Sequence, residues 1–411
     1  MEENKQGRKQ LIIGILIGVL VMGVAMMIVV IGVVRKYSKG YIEEGSFVEA
    51  ADSVLDEETV KKLEQVQSLI DGKSIYEIDR DKLREGMVEG LLAGTGDRYA
   101  AYYTPEEIQQ QMDSYSGKFF GIGVVMGPDE NKNIYIHQVY TDSPAERAGM
   151  REGDIITKVD GTDVTDMDLD GIVSMVRGEK GTKVVITVYR QTDGKEYDLT
   201  AIRDEIKEEV IEYKMLEDNI GYIHIEEWYD TTGEQFSDAQ KTLEEEGMKS
   251  LIVDLRSNTG GLVSAAVDVL ECFLPESDVL YVEDNTGKRS AYKAYYEDEI
   301  NIPVVILTNG YTASASEIFT GALKDYDKAI SIGTKTYGKG VVQSFYYLFD
   351  NSALKLTTEQ YFTPNGTALD GNGIDPDIEV ELDADAYYDP ENPVDNQLET
   401  AVDYLKKQGG Y

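Results

Sequence analysis

Cysteine and histidine are almost missing from this chain of 411 residues, which has one Cys (Cys272) and two His (His137 and His224). A single cysteine excludes an intrachain disulfide framework and a Cys-rich zinc site. Two histidines exclude a His-rich metal centre and leave a Ser-His-Asp hydrolase only two candidate bases. Positive charge is also scarce: 39 Lys and Arg stand against 77 Asp and Glu, a formal net charge of -38. The summed field repels polyanions, which argues against nucleic acid held through its phosphates. Glycine is plentiful at 39 residues, a sign of many turns and close backbone approaches. With 42% hydrophobic residues the chain can bury a core, and its length suggests two or three domains.

The acidic excess is uneven. Residues 1–40 carry Lys5, Arg8, Lys9, Arg35, Lys36 and Lys39 against Glu2 and Glu3, a net of +4, so the remainder carries -42. Between the basic flanks, residues 11–34 form an uncharged apolar run of 24 residues. As a helix rising about 1.5 Å per residue it would span roughly 36 Å, enough for a bilayer. The alternative is a cleaved signal peptide, but the run is long for one and no A-x-A site follows. A single-pass membrane anchor is expected, with the short N-terminal tail inside and the large domain outside the cytoplasm. Three Lys or Arg on each side leave the charge bias tied.

Residues 41–115 read as two or three short, Gly-punctuated helices, with Val60, Leu63, Val66 and Leu69 at helical spacing. Dimerisation is one use for such a segment. Residues 116–203 differ. Phe119-Phe120-Gly121-Ile122-Gly123-Val124 places Gly at alternate positions, and Ser143-Pro144-Ala145-Glu146-Arg147-Ala148-Gly149-Met150 reads as a short helix ended by Gly149. Arg151 to Gly161 reads as turn, strand and tight turn. This stretch resembles a PDZ domain. The resemblance implies that the loop of Phe120, Gly121, Ile122, Gly123 and Val124 offers N–H groups to a peptide's terminal carboxylate, the peptide adding as a strand. A β-bulge at the two glycines is the plainer alternative.

From about residue 204 to 385 strands alternate with helices, the pattern of an α/β layer. Residues 386–411 add a final amphipathic helix. Two strand-to-helix turns stand out. One is Asp254-Leu255-Arg256-Ser257-Asn258-Thr259-Gly260-Gly261, where adjacent glycines can aim N–H groups into a cleft. The other is Asn309-Gly310-Tyr311-Thr312-Ala313-Ser314-Ala315-Ser316-Glu317, which exposes a hydroxyl at a helix N-terminus, or else caps that helix with Glu317 completing a capping box. Gly333 to Gly340 nearly matches a phosphate-binding loop, but its last position is Gly340, not Ser or Thr, and a strand-like segment follows. With no histidine in a supportive context, Lys339 between Gly338 and Gly340 is the candidate base, since a desolvated lysine can take a serine proton. Gln343, four residues on in an extended stretch, would share its face.

Ser314-Ala315-Ser316-Glu317 with Lys339 and then Gln343 resembles the carboxyl-terminal processing peptidases, tail-specific serine proteases. Gly371-Asn372-Gly373-Ile374-Asp375-Pro376-Asp377 is similar to a late signature of that family. The resemblance implies a ClpP/crotonase-like ββα core with an inserted PDZ domain. It implies Ser314 as nucleophile, Lys339 as general base, Gln343 as its orienter, and an oxyanion hole from Ala315 and the Gly260–Gly261 turn. Ser316 is then structural. The implied enzyme needs no metal or organic cofactor. It takes proteins by their C-terminal tails, and a homodimer is plausible within that family. A catalytically inactive PDZ scaffold at the membrane is the alternative.

Overall fold

The computed structural model describes residues 53–129, 132–295 and 300–408, so the apolar run of residues 11–34 lies outside them. No helix among the described residues is long and apolar enough to cross a membrane. The described residues divide into two compact units, one of residues 53–108 with 343–357 and one of residues from 109–342 with 358–408.

In the first unit, Asp56 caps the helix Glu57–Lys73 by accepting from the Thr59 amide, and Asp79 caps Arg80–Ala93 in the same way. Neither helix buries a residue, and Val60, Leu63, Val66 and Leu69 stand exposed. The short strand Ala101–Tyr103 pairs antiparallel with Ala353–Lys355, and the helix Pro105–Tyr115 that follows it runs from this unit into the next. Residues 343–357 carry the turn of a hairpin between the strands Val341–Tyr347 and Ala353–Phe362.

In the second unit, six strands between Val124–Pro128 and Lys195–Ile202, the short Thr162–Asp163 among them, form an antiparallel sheet around Ile136, Val159, Ile172, Ile186 and Val188, all fully buried. The helix Pro144–Ala148 starts at Ser143, whose hydroxyl accepts from the Glu146 amide, and ends at Gly149 with φ 87°. Asp154 and Arg190 form a bidentate buried ion pair at 2.7 Å that ties the strand Asp154–Val159 to Lys183–Arg190.

The larger layer is a six-stranded sheet in the order Ile211–Met215, Ile220–Ile225, Ser250–Asp254, Val304–Thr308, Ala329–Gly333, Ile378–Glu379. All its pairings are parallel except the first. Both faces are covered, so the central strands are buried throughout and read as continuous apolar runs. Alternate residues go to opposite sides. Leu251, Val253 and Ile306 pack with Phe236, Ala266 and Phe319 from the helices Thr232–Glu245, Val263–Leu270 and Ala315–Asp325. Ile252, Val305 and Leu307 pack with Ala401 and Leu405 of the helix Asn396–Gln408. The Trp228, Phe319, Phe273 and Phe236 rings follow one another at centroid distances of 5.6–5.7 Å in tilted and edge-on contacts. Truncating one such buried ring to Ala typically costs about 3–5 kcal/mol. In sheets of this kind the loops beyond the strands' carboxyl ends carry the site. Here those loops are residues 255–261 and 309–314.

Candidate active site

The two loops are joined to each other. The Thr312 hydroxyl donates to the Leu255 carbonyl at 2.8 Å, the Ala313 amide to the Asn258 carbonyl at 3.1 Å, and the Ser257 amide to Asn309 Oδ1 at 3.0 Å. Ser314 sits where the second loop enters its helix, almost buried, with φ 57° and ψ -117°. A non-glycine residue held in that region is strained, and such strain persists only where the surroundings fix it.

Gly260 packs directly against this serine. A Cβ on Gly260 would lie 2.7 Å from Ser314 Cβ and 3.2 Å from the Ala315 nitrogen, and φ is 111° at Gly260. Only glycine fits there. The Gly260 amide is turned back onto its own loop, donating to Asn258 Oδ1 at 2.9 Å. The Gly261 and Ala315 amides donate to no acceptor among the described residues. Gly260 therefore contributes space rather than a donor, which the glycine pair in the sequence does not reveal.

Ser316 is fully buried, accepting from Trp228 Nε1 at 2.8 Å, so its hydroxyl is engaged in packing. Lys339 is half-buried in the loop after the strand Ala329–Gly333. Its amide donates to Glu317 Oε2 at 2.9 Å, and its carbonyl accepts from the Tyr361 hydroxyl. The glycines beside it are pressed onto the Leu369–Gly373 loop: a Cβ on Gly340 would lie 2.0 Å from the Asp370 nitrogen. The phosphate-loop likeness fails on structure, because Val341–Tyr347 is a strand and not a helix.

Glu317 is the functional candidate that the sequence shows only as a helix cap. It is fully buried and accepts four hydrogen bonds. The Thr336 hydroxyl (2.6 Å) and Gly338 amide (2.8 Å) meet Oε1, and the Ser314 and Lys339 amides (2.9 Å each) meet Oε2.

Below the first loop, Arg256 bonds Asp254 and Asp395 at 2.6 and 2.7 Å. Burial opposes its charge, but the bonds to the two carboxylates outweigh that and hold its pKa above the ordinary value. Burial and the Asp254 carboxylate together push the Tyr222 phenol up. This network clamps the start of the glycine turn to the helix Asn396–Gln408.

Gln343 belongs to the first unit. Its Nε2 lies 3.4 Å from the Thr357 hydroxyl, which donates to Asp97 Oδ1 at 3.0 Å. Burial works against ionisation of Asp97, but the donors of Thr357 and Tyr99 prevail and keep its carboxyl below its usual pKa.

Of the five residues expected to cradle a carboxylate, Phe120 and Gly121 lie in a strand paired with Glu205 and Asp204, and Val124 opens the next strand. Ile122 and Gly123 form the turn between, and their amides donate to no acceptor among the described residues. The groove beside them is lined by Val124, Met126, Val173, Val176, Arg177 and Glu208. His137 is exposed on its strand, and His224 pairs in register with Asp254.

Residues 219–380 match the model of Peptidase family S41. The chain belongs to peptidase family S41. A PDZ domain matches at residues 135–190, and the N-terminal domain of the activating protease CtpB matches at residues 20–107. A probable CtpA-like serine protease of Staphylococcus aureus (strain COL) is 36% identical over 330 residues, covering 79% of this chain and 66% of that protein. Its counterpart in Staphylococcus saprophyticus is 34% identical over 325 residues, covering 78% of this chain and 65% of that protein. The chain thus spans just under two thirds of the length of these relatives. Among solved structures, a photosystem II D1 C-terminal processing protease is 25% identical, covers 78% of this chain and 86% of its own, and has a TM-score of 0.46. Ser314, Lys339, Gly260 and Gly261 all fall inside the stretch that matches S41, as does Gln343.

Proposed function

We propose that this S41 chain is a membrane-anchored serine endopeptidase that cleaves proteins near their C-terminus. Ser314 Oγ attacks the scissile carbonyl while Lys339, as the neutral amine, takes its proton and later delivers it to the leaving amine. Gln343 orients that amine. The tetrahedral oxyanion is met by the Ala315 amide at the N-terminus of the helix Ala315–Asp325 and by the Gly261 amide, with Gly260 leaving room for it. The acyl-enzyme is then hydrolysed by water that Lys339 deprotonates.

The observation that carries this reading is the setting of Ser314. It stands strained at a helix N-terminus, beside an unengaged amide, against a glycine where any side chain would collide. The turn at Ile122–Gly123 supports capture of a tail carboxylate by the PDZ domain. The proposed core is the ClpP/crotonase-like ββα type. The apolar run of residues 11–34 supports a single-pass anchor with the catalytic part outside the cytoplasm. The exposed Val60, Leu63, Val66 and Leu69 support a homodimer through the N-terminal helices.

The test is the fragment pattern of an unfolded protein incubated with the purified chain, read by mass spectrometry. The proposal expects cuts near the substrate's C-terminus with the wild type and none with Ser314→Ala. An intact substrate in both, with tail binding retained, would favour the scaffold instead.

A further inference from the structure

An ordinary capping carboxylate gives one oxygen to the N-cap amide of its own helix. Glu317 does this for Ser314 and then does more. Three of its four donors come from Thr336, Gly338 and Lys339, residues 19 to 22 positions further along the chain. Thr336 Oγ1 accepts from the Ile374 amide at 2.7 Å, so its proton is directed to Glu317. Four donors converge on a side chain with no solvent exposure, the pattern that a carboxylate satisfies and an amide does not.

The loop being held has little stiffness of its own. Gly338 and Gly340 flank Lys339, and Gly338 has φ 86°. Other ties reach the loop as well: the Tyr337 amide donates to the Thr312 carbonyl at 3.0 Å, the Gly371 amide to the Gly338 carbonyl at 2.9 Å, and the Tyr361 hydroxyl to the Lys339 carbonyl, but none of these joins Lys339 to Ser314. Capping alone would be served by the Ser314 bond.

We propose that Glu317 is a positioning residue of the reaction, its buried carboxylate fixing the backbone of the Lys339 loop against the backbone of Ser314. The inference rests on the reading of Ser314 as nucleophile and Lys339 as base. Glu317 moves no proton. It limits the drift between the two groups that exchange one.

The experiment compares wild type with Glu317→Gln, Thr336→Val and Lys339→Ala in the full chain, by peptide hydrolysis and by labelling with a fluorophosphonate. In labelling, the serine oxygen bonds to phosphorus while fluoride and the serine proton leave. The endpoint counts competent sites and the rate reports their alignment. Glu317→Gln sets an amide NH2 against two donors. The expectation is a full labelling endpoint, slower labelling, an almost unchanged KM, and kcat lower by about 10- to 100-fold, the scale set by small misplacements of reacting groups. Thr336→Val removes one donor and leaves the cap, so the same pattern is expected with a smaller loss. It decides the matter alone if Glu317→Gln does not fold.

Wild-type kcat and labelling rate in the variants that fold would overturn the inference. So would a loss that appears only as fewer labelled sites reacting at the normal rate. A wild type without hydrolysis, or full activity in Lys339→Ala, would instead overturn the Ser-Lys reading beneath it.

Discussion

Ser314 and Lys339 donate their backbone amides to the same atom, Glu317 Oε2, at 2.9 Å each. The chain between them includes a buried helix and a central strand, so a one-residue slip in either would break the shared contact. The proposed nucleophile and the backbone of the proposed base thus meet on one buried carboxylate.

Ser316 lies two residues beyond Ser314 and tests whether the right hydroxyl has been assigned. Ser316→Ala would leave the buried Trp228 indole N–H without its partner, a loss of about 1–3 kcal/mol. Urea unfolding should show that loss, while hydrolysis per folded molecule stays near wild type. Inactivity as complete as that of Ser314→Ala would contradict the assignment.

Arg256 predicts a larger effect on stability. Asp254 is buried, and Arg256→Ala would leave it beside Tyr222 without its cation. Breaking one side of a buried pair costs about 3–5 kcal/mol. Thermal unfolding should register this, and the glycine turn should become more accessible to hydrogen exchange. Unchanged stability would mean that the helix Asn396–Gln408 is held by its apolar contacts alone.

Glu227 predicts a pH dependence. Burial first, then the nearby Glu226 and Glu208, push its carboxyl up from 4.5 to about 7. The folded chain therefore holds this proton more tightly than the unfolded chain. The resulting stability is fully present below the ordinary carboxyl pKa and is lost as pH rises through about 7. Glu227→Gln removes the titration, so its melting temperature relative to wild type should rise between pH 5 and pH 8. An equal difference at both pH values would contradict the shift.

The parts of the fold legible in the sequence are those whose side chains face a single environment. The strands Ser250–Asp254 and Val304–Thr308 are apolar throughout because helices cover both faces, and the helix Thr232–Glu245 shows its buried stripe at Phe236, Ala239 and Leu243. The hairpin of Ser277–Asp284 and Arg289–Ala294 has no such pattern, since all but the last residue of its second strand are exposed. At the proposed site, the spacing of Ser314, Lys339 and Gln343 is the feature legible in the sequence. The partners that fix it are not visible in the same way. Asn258 captures the Gly260 amide, and Asp97 reaches Thr357 across 260 positions. Contacts that distant leave no periodicity to read.

The tail-reading part of the account has its own test. The Ile122 and Gly123 amides would stabilise a terminal carboxylate that a terminal amide lacks. A hydrogen bond to a charged group contributes about 1.5–3 kcal/mol, so amidating a tail peptide should weaken binding by roughly one to two decades. Fluorescence anisotropy with the Ser314→Ala chain, at one salt concentration, makes the comparison without cleavage. Equal affinities would remove carboxylate reading from the account and leave the hydrolytic site untouched.

The central claim is that Ser314 and Lys339 together hydrolyse peptide bonds. Its most direct measurement is the rate of hydrolysis of one unfolded protein by wild type, Ser314→Ala and Lys339→Ala, each confirmed folded by circular dichroism. The account predicts turnover in the wild type and none in either variant. Turnover in Lys339→Ala at the wild-type rate would contradict it.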